Sequence, residues 1–472
     1  MRYKCLKKLN LSNVFLGVKN FVNSNYFPLF VMLSALLFHL LAWDVWGFLF
    51  LGAFAIFINL FCDDIRPLLP IAFCIPYVVS TQNTPGYAHD GWNGYYTSNG
   101  VVITLVILSA LVLISFILRI FIQKGFKENL KKSRLILGFV LLIPCYLLAG
   151  IFSKYYDFNS FLCAIIMVGF NSVFYVLVFP TLKSKKDNFI YLSRVCVLTA
   201  ILIVLEIAYV YLLKYEIGKP LNYTWKPQIV IGSLASNPAG GLIVIFLPFF
   251  FYSALKERFG YIYYALATVC MVGVFFTLSR AALLLGIPTF ILGSIILLIF
   301  GKYKKECGLI FIVNALLGLV GLYTIYRNGY LENLFMFFIN NKLSDSGRFE
   351  MWGDHFEYFK NYPIFGAGFS AYMIEKGFEW IYIAMAHNTI VQIISSCGIV
   401  GMALYLFHRY QTVKLFIENY NIEKLFIAFS LLLLIVFGMF DPTFFFPQFA
   451  IVYTFLLCFA ERQESGEKFI SL

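Results

Sequence analysis

The most regular feature of this chain is a repetition of long apolar segments separated by short polar intervals. A membrane-spanning helix needs about 20 mostly apolar residues, and windows close to that length recur from residue 27 onward. The predicted spans are 27–43, 46–62, 67–81, 100–122, 135–153, 159–182, 189–214, 229–254, 260–278, 281–300, 308–326, 386–407, 425–440 and 445–460. Continuous apolar runs exclude a transmembrane β-barrel, whose strands alternate apolar and polar residues. The pattern predicts an all-α polytopic membrane helical bundle of about 12–14 transmembrane helices, with residues 1–472 forming a single membrane domain.

The polar intervals differ in charge, and this difference predicts the orientation. Lys and Arg are concentrated in the intervals 123–134, 182–188, 255–260, 301–306 and 408–414, whereas the interval 81–100 contains neither. Basic intervals remain on the cytoplasmic side of a membrane. Alternation of the spans then places both termini in the cytoplasm and the interval 81–100 outside. The longest polar interval, 327–385, becomes a large extracytoplasmic loop.

This loop contains the sequence SGRFEMWGDHFEYFKNYP at residues 346–363, which is typical of an amphipathic helix. Asp345 or Ser346 can cap the helix, and Pro363 ends it after about Tyr362. The residues that share one face at helical spacing are Arg348, Trp352, His355 and Phe359. Two interpretations remain open, because this face can lie on the membrane surface or close over a cavity.

Composition supports the membrane prediction and excludes other classes. Charged residues make up 13% of the chain, compared with about 25% in soluble domains. The net charge of +12 does not indicate nucleic-acid binding, because the basic residues are distributed as topology determinants. Ten cysteines occur without metal-ligand spacing and nearly all lie in apolar segments, so we expect free thiols, no disulfide framework and no zinc site. The N-terminal sequence MRYKCLKKLN lacks a cleavable-signal pattern, so we expect the first apolar segment to remain as an anchor.

Several polar residues occur where lipid contact is expected, and ionisable residues in spans are costly and usually functional. All of these residues fall in the outer half of their spans or in outer turns. They are Glu206, the helix-interrupting GSLASNPAGG segment with Asn237 and Pro238, Ser279 and Arg280, His387 and Asn388, and Asp441. By contrast, we expect His39 and His408 to have no polar neighbours, and we interpret both as structural.

Each of these polar residues also has a purely structural explanation. The alternatives, in chain order, are an ion pair between Glu206 and Lys214, a helix kink at Asn237 and Pro238, a lipid headgroup contact by Arg280, an interhelical hydrogen bond from His387, and a turn at Asp441. For Asp441, before Pro442, we favour the turn.

Three residues from distant parts of the sequence are nevertheless predicted at one outward-facing level, namely Arg280, Arg348 and His387. Two guanidinium groups can bind phosphate oxygens bidentately and stabilise charge on a departing diphosphate. A histidine can take a proton from an attacking hydroxyl group. No acidic cluster with metal-ligand spacing occurs on the predicted outer side, so a metal-free transfer from a lipid-linked diphosphate is the simplest hypothesis.

The order of these motifs resembles the O-antigen ligase/polymerase superfamily. The motifs are SR at the start of a span (279–280), an Arg and a Trp in a large outer loop (348 and 352), PIFGAGF (363–369), and HN (387–388) before CGIVGMALY (397–405). The resemblance covers about residues 232–410, whereas the first half agrees only in consisting of apolar spans.

This resemblance implies a glycosyltransferase of the bacterial cytoplasmic membrane with its active site facing outward. It would transfer or polymerise glycan from an undecaprenyl-diphosphate-linked donor onto a glycan or lipid-linked acceptor, without a nucleotide sugar, cofactor or required metal. Arg280 and Arg348 would bind the diphosphate, and His387 would act as a base or orient the acceptor hydroxyl group. Trp352 and Asn388 would shape the site. We expect Ser279, Asn237 and Glu206 to contact the substrate as well.

Other functions remain open at this stage. A lipid-linked oligosaccharide transporter or flippase would also contain intramembrane polar residues, but it often shows an internal repeat and midplane charges, which the sequence does not show clearly. A peptidoglycan-type glycosyltransferase of the shape, elongation and division class would depend on an acidic loop residue such as Asp354 or Glu357. The motifs are shared by ligases and polymerases and do not distinguish the two.

Overall fold

The computed structural model describes residues 11–83, 99–123, 125–215, 226–327, 347–377, 386–418 and 420–462. In these residues the chain is almost entirely helical. The helices before residue 226 are α1 (Leu11–Val22), α2 (Phe27–Leu40), α3 (Asp44–Phe61), α4 (Leu68–Cys74), α5 (Asn99–Ile122), α6 (Phe126–Lys131), α7 (Ile136–Leu147), α8 (Phe158–Val168), α9 (Phe174–Val178) and α10 (Asn188–Lys214). The later helices are α11 (Ser236–Lys256), α12 (Gly260–Phe276), α13 (Arg280–Phe300), α14 (Lys304–Arg327), α15 (Arg348–Asn361), α16 (Ala371–Glu375), α17 (Thr389–Glu418), α18 (Ile422–Phe437) and α19 (Pro447–Arg462).

The short elements are four tight or widened helical turns and one β-hairpin. The turns are Ile75–Val78, Gly169–Val173, Phe179–Thr181 and Lys226–Gln228. The hairpin consists of β1 (Val230–Ile231) and β2 (Leu234–Ala235), which pair antiparallel with Val230 opposite Ala235. It leads directly into α11.

Each predicted apolar span coincides with a helix, and the all-α polytopic membrane fold is confirmed. By length and composition, 7 helices can cross a membrane, or up to 8 spans if the bent pair Asn13–Val22 and Phe27–Leu40 counts as one. Other predicted spans are apolar but shorter helices, such as Leu68–Val78, Ile136–Leu147 and Gly260–Phe276. The total of about 12–14 spans stays a prediction.

Helix α1 was not predicted, because its 12 residues are too few and too mixed in polarity to resemble a span. The chain bends by 88° between this helix and α2. The ammonium group of Lys19 lies 3.1 Å from a carboxylate oxygen of Asp63, in the connection after α3. This helix therefore turns away from the axis of α2 rather than continuing its span.

Helix α11 is the centre of the bundle. It is apolar on all sides, and 94% of its most apolar window is buried, as expected for a helix surrounded by others. Helices α10, α12, α13 and α18 pack around it. Because α11 is central, its N-terminus at Ser236 lies among the ends of several other helices.

The predicted break in this span at Pro238 is wrong. The segment before Ser236 forms the β-hairpin, and the helix begins at Ser236, so that Pro238 occupies the first turn. Proline is tolerated there because amide groups of the first turn have no intrahelical partner. Residues 229–235 therefore reach the end of the bundle as a hairpin.

At one end of the bundle, two of the intervals that were predicted to be basic and cytoplasmic, 123–134 and 182–188, contact the end of α17 and the connection after α3. Arg134 lies 2.6 Å from Glu418, and Lys185 lies 2.7 Å from Asp64. These pairs connect four separate intervals. The clustering agrees with the alternation of the predicted spans.

The other end, which we call the site end, joins the remaining connections. The amide of Ser233 in the hairpin donates to the carbonyl of Pro76 at 2.8 Å, and the amide of Thr389 donates to the carbonyl of Gly438 at 2.7 Å. Most of the candidate residues from the sequence lie at this end.

Helix α17 contains a kink at Gly398 that receives the PIFGAGF segment. Gly398 has a φ of 64° and a ψ of −159°, which only glycine adopts readily. The amides of Ile399 and Val400, freed by the kink, bond the carbonyls of Pro363 and Ile364 at 2.9 and 3.2 Å. A Cβ atom on Gly398 would lie 2.4 Å from the Ile364 carbonyl oxygen. The segment after α15 is thus fixed to α17.

Candidate active site

His387 and Asp441 form the central pair of the site end. The Nδ1 atom of His387 lies 2.8 Å from an oxygen of Asp441. The Asp441 side chain is 4% exposed, whereas 42% of the His387 side chain remains exposed. An ionised carboxylate only accepts hydrogen bonds, so Nδ1 carries the proton and Nε2 keeps its lone pair. The contact with Asp441 thus fixes the orientation of the imidazole ring.

The segment that carries this histidine is anchored by its neighbour. The Asn388 side chain accepts hydrogen bonds from the amides of Ile390 (2.9 Å) and Val391 (3.2 Å), and its Nδ2 donates to the Met439 carbonyl at 3.2 Å. Asn388 therefore begins α17 and also connects it to the turn that carries Asp441. His387 has a φ of 48°, a strained value for a residue other than glycine that clusters at functional sites.

Helix α15 lies against α17 with the predicted face inward. The indole nitrogen of Trp352 donates to the carbonyl of Ala386 at 2.6 Å, adjacent to His387. His355 is buried and its Nδ1 lies 2.8 Å from the Ser395 hydroxyl. Burial lowers the pKa of His355 from 6.5 to about 4, against the opposing effect of Asp354. The imidazole is therefore neutral at physiological pH.

This arrangement favours the interpretation of α15 as a cover over the site. Arg348 is its first residue and follows Gly347, which has a φ of 78°. The caps predicted at Asp345 and Ser346 lie outside the described residues. Because Trp352 is bonded next to His387, the first turn of α15 is held on the same side as the histidine.

Arg280 begins α13 at the same end of the bundle. The Ser279 hydroxyl caps this helix by accepting from the amide of Ala282 at 3.3 Å, and Leu278 has a φ of 54°. A Cβ atom on Gly240 would lie 2.8 Å from the Thr277 hydroxyl and 3.4 Å from the Ser279 Cβ. The start of α13 thus packs directly on the first turns of α11. Ser279 is fully buried in this packing and serves as a cap.

The two arginine side chains are available for a ligand. Arg280 is exposed and Arg348 is half-buried. Within the described ranges, neither guanidinium group forms a hydrogen bond or ion pair with another residue. Guanidinium groups bind phosphate oxygens in a bidentate manner, so the pair can hold a diphosphate.

Lys226 is a site residue that the sequence analysis missed. Its ammonium group donates to the Asn237 side-chain oxygen at 2.7 Å. Burial, together with the positive charge of Arg280 and to a smaller extent of Arg348, lowers its pKa to about 8, while Asp441 acts in the opposite direction. Lys226 therefore lies close enough to both arginines and to Asp441 for their charges to change its pKa. The sequence did contain an indication of this residue, because Lys226 lies in a predicted outer interval and basic residues are disfavoured there.

Glu206 lies away from this cluster. It is fully buried, and one of its oxygens lies 3.5 Å from Nδ1 of His39, which is also fully buried. The Nε2 atom of His39 lies 3.3 Å from the Thr81 hydroxyl, which in turn donates to the Val230 carbonyl of the hairpin at 3.4 Å. The interpretation of His39 as lacking polar neighbours is therefore wrong, and His39 rather than Lys214 is the near partner of Glu206. The predicted substrate contact of Glu206 stays a prediction.

The cluster as a whole consists of His387, Asp441, Arg280, Arg348 and Lys226. It combines an oriented imidazole ring with three cationic groups. Among the described residues, no group of three His, Cys, Asp or Glu side chains could hold a metal ion. The chemistry that this set favours is proton removal from a hydroxyl group next to a bound polyanion.

Residues 262–406 match the family model described as O-Antigen ligase. This match confirms the resemblance to the O-antigen ligase-like superfamily and supports a membrane function of the ligase or polymerase type. The matched segment includes Arg280, Arg348 and His387, whereas Lys226 and Asp441 lie outside it. A search of curated proteins finds no match to the chain.

Proposed function

We propose that this O-antigen ligase-like membrane protein is a glycosyltransferase that transfers or polymerises glycan from an undecaprenyl-diphosphate-linked donor. Transfer takes place on the outer face of the bacterial cytoplasmic membrane and serves the assembly of a cell-surface polysaccharide such as O-antigen, capsule or exopolysaccharide. The observation that supports this proposal is the His387–Asp441 pair, held beside the cationic groups of Arg280, Arg348 and Lys226.

In the proposed reaction, the acceptor hydroxyl oxygen attacks the anomeric carbon of the donor sugar. A new C–O bond forms while the bond from this carbon to the phosphate oxygen breaks, and its electron pair leaves with the diphosphate. Nε2 of His387 takes the hydroxyl proton, and Asp441 stabilises the resulting imidazolium. Arg280 and Arg348 bind the diphosphate and stabilise its developing charge.

The other predicted site residues fit positioning roles in this reaction. Trp352 donates to the Ala386 carbonyl, next to His387, and in this role it would hold the first turn of α15, with Arg348, over the site. Asn388 fixes the backbone of the base, and Ser279 fixes the backbone of Arg280. Asn237 holds Lys226.

The test uses purified protein in lipid nanodiscs with an undecaprenyl-diphosphate oligosaccharide, without a nucleotide sugar or added metal. Release of undecaprenyl diphosphate is followed in wild type and in Arg280→Ala, Arg348→Ala and His387→Ala. Each substitution is expected to lower kcat by about 10²–10³-fold, the usual effect of losing one transition-state contact. Arg258→Ala is the matched control, because Arg258 is exposed and lies in the connection between α11 and α12, at the opposite end of the bundle.

Acceptors are included in separate reactions, because a ligase without an acceptor would be inert. Growth of glycan length identifies a polymerase, and a single addition to a lipid acceptor identifies a ligase. If turnover survives all three substitutions, the assigned site is wrong. If wild type shows no turnover with any acceptor, the glycosyltransferase proposal fails.

A transporter or flippase of lipid-linked oligosaccharide is the second candidate. The observation that favours it is the buried pair of Glu206 and His39, because ionisable residues inside a membrane often mark transport pathways. The same nanodisc assay distinguishes the two functions. A flippase moves the intact donor and releases no undecaprenyl diphosphate.

A further inference from the structure

Lys226 is the one cation of the cluster for which the reaction described above has no step. It lies in the turn Lys226–Gln228, before the hairpin that leads into α11. Its ammonium group is fixed at 2.7 Å from Asn237, in the first turn of α11. One helical turn further, Gly240 packs against Thr277 and Ser279, which immediately precede Arg280. These two contacts place Lys226 at the N-terminus of α11, whose next turn packs against the residues that precede Arg280.

The charges of donor and product explain what a third cation can do. A glycosyl donor linked through a diphosphate diester carries one charge on each phosphate group. When the sugar leaves, the terminal phosphate becomes a monoester and gains an additional negative charge. The two guanidinium groups match the charges of the bound donor, whereas the additional charge exists only during and after bond cleavage.

We propose that Lys226 is a catalytic residue that binds the terminal phosphate of the leaving undecaprenyl diphosphate and stabilises the charge that develops as the glycosidic bond breaks. This proposal rests on the glycosyltransferase function proposed above. In the balanced step, the electron pair of the broken C–O bond goes to the phosphate oxygen, and the acceptor proton goes to His387. Lys226 forms and breaks no covalent bond.

The proposal predicts which kinetic constant changes. An interaction that is stronger in the transition state than in the bound donor raises kcat without lowering KM. Lys226→Gln keeps an amide that can bond Asn237 but removes the charge. We expect a loss of about 10²–10³-fold in kcat and little change in KM for the donor. Lys226→Arg is expected to recover most of the activity.

A pH profile adds a readout that a structural role would not change. The charged groups near Lys226 include the guanidinium groups of Arg280 and Arg348 and the carboxylate of Asp441, to which His387 is bonded. Because the pKa of Lys226 is lowered to about 8, its charge is lost as the pH rises through that value. Wild-type kcat/KM, which reports the donor-free protein, should therefore decline above about pH 8, and this decline should shift to higher pH in Lys226→Arg.

The experiment measures donor turnover in nanodiscs for wild type, Lys226→Gln, Lys226→Arg and Lys154→Gln. Lys154 is exposed and lies in the connection between α7 and α8, which contacts the segment after α15. Its substitution is the matched control. A parallel arm measures binding of undecaprenyl diphosphate and of undecaprenyl monophosphate in the absence of donor. We expect Lys226→Gln to weaken diphosphate binding by about tenfold to hundredfold, the equivalent of one charge-assisted hydrogen bond, and to affect the monophosphate less.

The outcomes separate this inference from the function on which it rests. If wild type turns over the donor and Lys226→Gln retains kcat within threefold, or if only KM rises, the role of Lys226 is wrong and the glycosyltransferase function stands. If kcat/KM of Lys226→Arg declines at the same alkaline pH as kcat/KM of wild type, the inference is also wrong. If wild type shows no turnover, the function fails, and the binding arm then decides whether Lys226 recognises a diphosphate.

Discussion

The strongest single prediction concerns the substitution Asp441→Asn. The Asp441 side chain is 4% exposed and lies 2.8 Å from Nδ1 of His387. Asparagine has nearly the same size, so the turn should retain its backbone hydrogen bonds, such as the one from the Thr443 amide to the Asp441 carbonyl at 2.7 Å. The substitution removes one negative charge. It also allows the amide to donate, so the ring is no longer restricted to the tautomer with a free Nε2.

The expected magnitude follows from the geometry. Two unit charges about 4 Å apart interact by about 4 kcal/mol at an effective dielectric constant of about 20. Because 42% of the His387 side chain is exposed, solvent screening reduces this value by roughly half, to about 2 kcal/mol. A loss of about 2 kcal/mol in stabilisation of the imidazolium in the transition state corresponds to about a thirtyfold decrease in kcat. Loss of the preferred tautomer should lower kcat further.

The assay is donor turnover in nanodiscs, with kcat and KM measured separately for Asp441→Asn, His387→Gln and the double variant. If the two residues act as one unit, the double variant should be no slower than His387→Gln alone. Asp354→Asn is the matched control, because Asp354 forms a partly exposed ion pair with Lys376 at 2.9 Å on the covering helix. A decrease of less than threefold in Asp441→Asn, or additive effects in the double variant, would refute the reasoning. A large effect of Asp354→Asn would instead favour the peptidoglycan-type enzyme.

Two further predictions concern the stability of the elements that hold the site. The pKa of His355 is lowered to about 4, so the stability that its neutral form contributes is present above pH 6.5 and is lost as the pH falls toward 4. The loss of stability should reach about 3 kcal/mol at about 1.4 kcal/mol per pKa unit. Between these pH values, the Tm of wild type should therefore fall more steeply than the Tm of His355→Gln. Gly398→Ala should destabilise the fold by about 1–3 kcal/mol through backbone strain alone, and it should lower both Tm and turnover. Gly353→Ala is the control, because Gly353 lies at an exposed helical position with open space around it. This control substitution should lower neither Tm nor turnover. Equal Tm values for these two variants would contradict the role assigned to the kink.

Much of the fold was predictable because the physical requirement that produces it is local. A span must be apolar over its whole length, so the pattern of residues 27–460 was sufficient to locate each helix that coincides with a predicted span. The helix of Arg348, Trp352 and His355 was likewise evident from its spacing, and the contacts of Trp352 and His355 show that this face packs inward. Helix α1 and the start of α11 at Ser236 were missed, because short amphipathic or proline-containing segments have no unique pattern.

The partners of the site residues could not be predicted from local patterns. Asp441 was interpreted as a turn former, and only the packing of α18 against α17 brings it to His387, 54 residues away in sequence. The bond between Lys226 and Asn237 spans 11 residues and depends on the hairpin that replaces the predicted start of the span. The catalytic roles of Arg280, Arg348 and His387 stay predictions, to be decided by the turnover assay.

The division of the site between matched and unmatched parts of the chain has a mechanistic consequence. Arg280, Arg348 and His387 lie within residues 262–406, but the carboxylate that orients the histidine comes from the turn after α18. The ammonium group comes from the turn before the hairpin. A base without an orienting carboxylate loses its preferred tautomer, and two guanidinium groups alone do not match the additional charge of the leaving diphosphate. In the proposed reaction, the matched segment would carry the groups that bind the donor and accept the proton, whereas the flanking elements would determine how fast the bond breaks. Substitutions at Asp441 and Lys226 should accordingly lower kcat more than they raise KM for the donor.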